Sequence, residues 1–528
     1  MRILWNGKIL TLNPSQPHAT ALAIEGDSIV AVGSDDEILA LANPHTMRED
    51  LAGRTVWPGL TDAHIHLQHY ALSLQKVDCE TDRREECLAR VQQRAQLTPP
   101  GQWLLGHGWN QNTWPEGFGD AQMLDQVAPV HPVYLTAKSL HAGWANSAAL
   151  RAAGITSATP DPRDGKLLRD PHGNPTGILL ESAMKLVEDA IPAASPQQIR
   201  ESIAAAQDNL WQMGITGVHD FDRRDCFVAL QQLDQSAKLR LRVVKSIPQQ
   251  LISEAVGLGL RSGFGSNYLK IGPVKCFADG ALGPQTAAML QPYENSADNT
   301  GLLMLDAEQV LEIGQQAALS GMNMAVHAIG DCANHEVLNA YAQLREFEVS
   351  HGLPPLRHRI EHVQVLHPMD FNRLAQLGVT ASVQPIHATS DMLMVDRFWG
   401  KRARGAYAFH TLYAAGTTLA FGSDSPVEPA NPFFGLHAAV TRRRQDGSPN
   451  EAGWYPAERL PLLQALQGFT TGPAFACGCE KTLGQLAPGF LADLIVLPID
   501  PFSIPAQQIA GLKPDATMVG GEWVWKGS

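Results

Sequence analysis

The sequence lacks several features that would place the protein at a membrane, on nucleic acid or outside the cell. No apolar run approaches the roughly 18 residues of a membrane-spanning helix. Forty lysines and arginines face 53 acids, a net charge of -13, whereas a nucleic-acid partner requires a basic face. The N-terminus lacks the apolar core of a signal peptide, and seven scattered cysteines argue against a disulfide framework. We therefore expect a cytoplasmic protein with no nucleic-acid or membrane partner.

The two ends of the chain share a pattern that the middle lacks. Residues 1–55 alternate short apolar runs with turns, and similar runs return after residue 480. Such a pattern is typical of short β-strands. We predict that 1–55 and 480–528 pair into one small β-sandwich, and that residues 56–479 form a large domain between them.

The middle of the chain predicts an α/β fold of the (β/α)8 TIM-barrel type. Eight short apolar segments are present, with helical patterns between most of them, as a closed parallel barrel requires. These segments are Val56–His66, Gly217–Phe221, Leu239–Ile247, Leu269–Ala278, Asn323–Ala328, His358–Val363, Val379–Pro385 and Thr418–Asp424. The stretch 67–205 is too long for a loop, so we predict an inserted subdomain after strand 1 that covers the barrel mouth as a lid.

Histidines and acids stand where the predicted strands end, which is where barrel enzymes keep their catalytic groups. His64 and His66 lie two apart on strand 1 and point the same way. Lysine, imidazole and carboxylate groups end other strands, namely Lys275, His327, His362 and Asp424. A single His-x-His or Gly-Ser-Asp turn would be weak evidence by itself. Their joint placement predicts a site for zinc or a similar divalent ion.

The motifs around these residues are similar to those of the amidohydrolase superfamily. They are Pro58–His66, Val274–Gly280, His327–Asp331, Ile360–His362, Gly422–Pro426 and Leu486–Leu494. The residues in these motifs resemble those of the branch that contains N-substituted formamide deformylases and YtcJ-like hydrolases. The resemblance covers nearly the whole chain and says little about the substrate.

The resemblance implies two divalent ions, expected to be zinc. His64, His66 and Asp424 would hold the more buried ion, and His327 and His362 the more exposed one. Lys275 would bridge both ions as N6-carboxylysine, because a carbamate offers two anionic oxygens and an ammonium offers none. If Lys275 is unmodified, a single ion is expected, and the lysine would hold Asp424 or a substrate oxygen.

The expected reaction is hydrolysis of a carbon–nitrogen bond of the amide type, N-substituted formamides included. A metal-activated hydroxide would be the nucleophile, with Asp424 and Lys275 as catalytic residues. Predicted substrate contacts are Trp109, His141, His219 and Asp279. Relatives commonly carry Ser-Arg where Pro284-Gln285 stand here, which argues against an arginine contact to the substrate.

Two other function classes remain open at this stage. The first is a mononuclear deaminase or a lactone or ester hydrolase on the same scaffold, for which Asp331 and Glu336 are the only acids near strand 5. The second is a non-catalytic binding relic, which the complete ligand set disfavours. A small-molecule substrate is expected, and the resemblance is the only ground for a homodimer.

Overall fold

The structure is a computed structural model that describes residues 1–112, 114–294 and 296–527. Ser528, the last residue of the predicted sandwich segment, lies outside the described residues. Backbone contacts divide the chain into two compact units, one of residues 1–70 with 203–528 and one of residues 71–202. No helix in the described ranges is both long and apolar enough to cross a membrane.

The first unit contains an eight-stranded parallel barrel, so the predicted fold class is confirmed. The strands follow one another around the sheet in chain order. They are β1 (Leu60–Ile65), β2 (Ile215–Asp220), β3 (Arg242–Pro248), β4 (Leu269–Phe277), β5 (Met324–Ala328), β6 (Arg359–His362), β7 (Thr380–Val383) and β8 (Leu419–Phe421). Two hydrogen bonds close the ring just beyond β8: Asp424 donates its N–H to the His64 carbonyl at 2.7 Å, and His66 donates to the Ser425 carbonyl at 2.9 Å.

Helices follow most strands and bury one face against the barrel. Several begin at side-chain caps, as where Asp306 accepts from the Gln309 N–H and Gln309 bonds back to Asp306, which satisfies donors of the first turn. The helices of this region are Leu67–Ser73, Pro196–Gln212, Arg224–Gln235, Ile252–Gly257, Ala307–Leu319, Asp331–Ser350, Arg373–Leu377, Pro385–Ser390, Met392–Trp399, Phe409–Ala414, Pro432–Thr441, Leu462–Gly468 and Thr471–Ala476.

Strands from both ends of the chain form two sheets that share one hydrophobic core. The first sheet has the order Glu522–Lys526, Ala516–Val519, Leu494–Leu497, Thr55–Pro58, Lys8–Leu10 and His18–Ala19. The second has the order Ser28–Gly33, Ala21–Glu25, Arg2–Trp5 and Met47–Asp50, with the helix Asp35–Leu39 beside it. Leu494–Leu497 pairs antiparallel with Thr55–Pro58, so strands from the two ends of the chain share the first sheet.

The first predicted strand, Val56–His66, is wrong as a single element. Thr55–Pro58 pairs with Leu494–Leu497 in the sandwich, and β1 begins at Leu60 in the barrel. Gly59 joins them, and a Cβ there would lie 2.3 Å from the Thr216 Oγ1. Only glycine allows that close approach, so the chain passes from one sheet to the other at this residue.

The second unit lies inside the predicted insertion 67–205 and has its own six-stranded mixed sheet. Its strands, in sheet order, are Gly165–Arg169, Pro175–Glu181, Ala142–Ala145, Val133–Ala137, Leu104–Trp109 and Val77–Asp78. Its helices are Arg84–Leu97, Ala121–Val127, Ser147–Ala152 and Met184–Glu188. Apolar side chains of sheet and helices form its core.

Candidate metal centre

Three predicted ligands meet at the seam between β1 and β8. The Asp424 Oδ1 lies 3.6 Å from the His64 Nε2 and 3.5 Å from the His66 Nε2. Ligand atoms bound at about 2.0–2.2 Å to one tetrahedral zinc ion stand at such mutual distances. His64, His66 and Asp424 therefore form a three-ligand set that fits a divalent cation.

The two remaining histidines stand beside this set. The His362 ring lies 4.9 Å from the His64 ring and 4.5 Å from the His327 ring, measured between centroids. Burial lowers the pKa of His64 to about 4 and that of His327 to about 3. Both rings are therefore neutral near pH 7, which is the form that binds a cation.

Each of the four imidazoles has one ring nitrogen within hydrogen-bonding distance of a polar partner. The partners are the Glu361 Oε2 for the His64 Nδ1 at 2.6 Å, the Asp222 Oδ1 for the His66 Nδ1 at 3.2 Å, the Gln384 Oε1 for the His362 Nδ1 at 2.8 Å and the Gly280 carbonyl for the His327 Nε2 at 2.8 Å. All four partners can act as acceptors, which fixes the proton on the bonded nitrogen. Metal-binding histidines are held in this manner.

Lys275 lies on β4, 5% exposed, and its ammonium group lacks a polar partner among the described residues. Its Nζ stands 4.7 Å from the Phe221 ring centre and 4.8 Å from that of Phe277. Burial lowers the pKa of Lys275 to about 8. Burying an amine without a polar partner costs free energy. The position therefore fits a lysine whose nitrogen is modified to bind a metal ion.

Two of the ligand residues have strained backbones. His362 has a φ of 75° and Asp424 a φ of 61°, and Val363 between strand and loop has a φ of 45°. Non-glycine residues rarely adopt such angles, and they cluster at functional sites. The His362 and Asp424 side chains both line the cavity at the barrel mouth.

These groups line an open cavity of about 340 Å³ at the carboxyl ends of the strands. Volumes of roughly 300–1,000 Å³ are typical of small-molecule sites. Phe277 and Val427 expose apolar surface in its wall, and Asp391 and Glu428 add acidic groups. Among the described residues that line it, no arginine is present and Lys275 is the one lysine.

Comparison with known proteins decides the family. The sequence pattern of the amidohydrolase family matches residues 49–525. This chain belongs to the amidohydrolase family. The predicted resemblance is confirmed.

Several curated relatives align over nearly the full length of this amidohydrolase. Protein LONG AFTER FAR-RED 3 of Arabidopsis thaliana is 33% identical, over 99% of this chain and 91% of its own. YtcJ of Bacillus subtilis, named as an amidohydrolase, is 32% identical over 100% of both chains. The N-substituted formamide deformylase of Arthrobacter pascens is 28% identical, over 98% of this chain and 96% of its own.

A solved structure shares the architecture as well. An uncharacterized metal-dependent hydrolase from Pyrococcus furiosus superposes with a TM-score of 0.77 at 28% identity. The match covers 95% of this amidohydrolase and 100% of that chain.

His219 and Asp279, two of the predicted substrate contacts, have polar partners within the protein. His219 is buried, and its Nδ1 lies 2.8 Å from the Arg359 guanidinium beneath the mouth. Asp279 accepts hydrogen bonds from the backbone N–H groups of Ala288, Ile329 and Gly330. Both side chains therefore have hydrogen-bond partners inside the fold of the amidohydrolase, and their contact with a substrate stays a prediction.

The predicted contacts of the second unit have different surroundings. Trp109 is 1% exposed in that unit's core, where its indole N–H donates to the Leu135 carbonyl at 2.9 Å. Trp109 therefore packs in the core of this unit, and its contact with a substrate stays a prediction. His141 is exposed and its Nδ1 lies 2.9 Å from the Glu181 Oε2. Contact between His141 and a substrate stays a prediction.

Sequence reasoning missed His387, which lies just after β7. It lines the cavity, and its Nε2 stands 3.9 Å from the Asp424 Oδ2. The predicted strand Val379–Pro385 contains no histidine, so strand position alone does not indicate a role for His387. The available signal is that His387 follows the end of this strand by two residues.

Glu361 connects the His64 ring to a buried arginine. Its carboxylate accepts from Arg359 at 2.5 and 3.0 Å and pairs with His64. Burial acts to raise the pKa of Glu361, but the Arg359 charge and the His64 hydrogen bond hold it well below its usual value. The carboxylate is therefore ionised and orients His64 for a cation.

We expect Glu361→Gln to weaken metal binding by about 10- to 100-fold. A glutamine has one acceptor oxygen, so its NH2 group must face either Arg359 or His64, and both are donors. Competition with a chromophoric chelator measures the affinity. Glu348→Gln is the matched control. Glu348 forms a similar buried pair, in which its Oε1 lies 2.8 Å from the His358 Nε2, and this pair is not part of the site. Equal affinities in both variants would contradict this role.

Proposed function

We propose that this amidohydrolase is a metal-dependent hydrolase of carbon–nitrogen bonds in small N-substituted amides, formamides included. The observation that carries the proposal is the set of four imidazoles, each oriented by an acceptor, around Asp424 and the unpaired Lys275. The 28% identical N-substituted formamide deformylase supports the formamide class. The structural similarity to the Pyrococcus metal-dependent hydrolase supports the proposal that this protein uses a metal ion.

The residues divide between two cation positions. His64, His66 and Asp424 would hold one ion, and His327 and His362 the other. Lys275 would bridge them as a carbamate, since the neutral amine that burial favours can react with carbon dioxide. Zinc suits this set of imidazole and carboxylate ligands. If Lys275 stays unmodified, the first three ligands support a single ion.

The chain's own residues would orient the substrate and move the proton. A bound divalent cation lowers the pKa of its water toward roughly 7 and polarises a carbonyl group. Asp424 turns Oδ1 toward the two β1 imidazoles, which leaves Oδ2 to take a proton from the attacking water. Asp424 would then pass this proton to the leaving nitrogen.

The cavity wall favours an uncharged or cationic substrate with an apolar substituent. The exposed rings and chains of Phe277 and Val427 offer apolar contact, while Asp391 and Glu428 would repel a carboxylate. Simple N-aryl and N-alkyl amides therefore fit better than N-acyl amino acids.

A deaminase reaction would depend on the two acids near strand 5, Asp331 and Glu336. The Asp331 carboxylate accepts from the Leu290 N–H at 2.8 Å, and that of Glu336 accepts from the Ala307 N–H at 3.0 Å. Both acids are engaged in backbone contacts, and neither lines the cavity. The geometry therefore favours the hydrolase.

Removal and return of metal tests the proposal. We expect chelation to abolish hydrolysis of N-formyl and N-acyl amines, and zinc to restore it with about two ions per chain at full activity. The measurements are elemental analysis and amine release across a panel of amides and formamides, with N-acyl amino acids as the contrasting set. Full activity in the chelated protein, or no turnover of any panel member by the zinc-loaded protein, would overturn it.

A further inference from the structure

His387 differs from the four ligand histidines in one respect. It is 6% exposed, yet neither of its ring nitrogens has a hydrogen-bond partner among the described residues. The four ligand rings each have one nitrogen fixed by an acceptor, and His387 has none. A buried polar group without a partner costs free energy. The position of His387 in the cavity wall indicates that its partner is a molecule that enters the cavity.

The geometry aims His387 at the reacting centre. Its Nε2 lies 3.9 Å from the Asp424 Oδ2, the oxygen that faces away from the β1 imidazoles. Its ring is nearly parallel to the His362 ring, at 6° and 6.3 Å between centroids. A group held between His387 and Asp424 would therefore stand beside the metal ligands.

Gln364 is a second unpaired polar group in the same wall. It follows β6, is buried, and its Oε1 has no hydrogen-bond partner in the described part of the chain. Together the two side chains offer a donor and an acceptor. A neutral imidazole carries one N–H, and a glutamine amide carries one carbonyl oxygen.

We propose that His387 and Gln364 form a recognition wall for the scissile amide and select secondary amides. This rests on the proposed function. The His387 N–H donates to the carbonyl oxygen, on which negative charge develops, and the Gln364 Oε1 accepts from the substrate N–H. Tertiary amides and esters lack that N–H and leave Gln364 unpaired. The wall therefore makes His387 a catalytic residue and Gln364 a specificity residue.

Paired substrates and paired variants test the wall in the zinc-loaded protein. The probes are formanilide and N-methylformanilide, or the best secondary amide of the panel and its N-methyl counterpart. We expect the wild-type kcat/KM to favour the secondary amide about tenfold, the worth of one hydrogen bond. Gln364→Leu should remove this preference by slowing the secondary amide alone.

The His387 variants separate catalysis from packing. His387→Phe should lower kcat about 100-fold on both substrates, as loss of a donor to a developing oxyanion does. His387→Gln keeps an N–H donor and should recover part of this loss, with zinc content unchanged in both. Equal kcat/KM for the two substrates in the wild type would overturn the proposed recognition wall. So would variants that keep the wild-type kcat and preference. Neither result would contradict the proposed hydrolase activity. No turnover of any amide would instead overturn the proposed function beneath it.

Discussion

Asp424→Asn should lower kcat by about a thousandfold even when zinc is supplied in excess. General base groups contribute typically 10²- to 10⁴-fold, and asparagine cannot accept the proton that the Asp424 carboxylate takes. The same change should weaken binding of the ion at the β1 imidazoles, because the Asp424 Oδ1 lies within 3.6 Å of the Nε2 atoms of both His64 and His66. Elemental analysis and kcat at saturating zinc measure the two effects separately.

Asp391→Asn is the matched control for that change. Asp391 lines the same cavity but accepts from the Tyr407 hydroxyl at 2.6 Å. This variant should keep its zinc and most of its kcat. If Asp424→Asn at full zinc occupancy also kept most of its kcat, Asp424 would be a ligand only, and the proton would move by another route.

Lys275→Ala should lose one of two bound ions and nearly all activity. The carbamate proposed at Lys275 supplies both bridging oxygens, and alanine leaves its space empty. A short carboxylate such as propionate can enter that space and replace the two oxygens. We therefore expect added propionate to restore part of the second ion and of the activity, as measured by elemental analysis and amine release.

The carbamate also predicts a dependence on pH and carbon dioxide. Only the neutral amine reacts with carbon dioxide, and burial lowers the pKa of Lys275 to about 8. The neutral fraction grows as the pH rises through that value, so two-ion occupancy should assemble faster at pH 9 than at pH 7 when the concentration of dissolved carbon dioxide is held the same. Assembly that ignores both pH and bicarbonate, with full activity in Lys275→Ala, would exclude the bridge.

The ligand set could be predicted because the place of a residue along a barrel strand decides whether it lies at the mouth of the barrel. Residues at strand ends share one mouth, so His64, His327, His362 and Asp424 could be brought together from the chain order alone. The hydrogen-bond partners that orient these side chains could not be predicted. The Asp222 and Gln384 partners depend on which atoms of neighbouring loops come within 3.2 Å, and no residue spacing encodes that.

Substrate contacts are harder to predict from the sequence, for a physical reason. Aromatic residues such as Trp109 suit either a pocket or a core, and only packing distinguishes them. Here Trp109 stacks with Trp114 at 6.0 Å inside the second unit. His387, in contrast, lies in a helix that begins where β7 ends, so its approach to Asp424 results from the turn between them.

The seam of the barrel has a consequence for the order of events during synthesis. Asp62 and Ser423 are hydrogen-bonded across 361 residues of chain, and His64 meets Asp424 at the same place. A ribosome has therefore released most of the polypeptide before the first cation position is complete. Until then the two β1 histidines lack the Asp424 carboxylate, and a cation bound by all three residues would join the earliest barrel strand to the last.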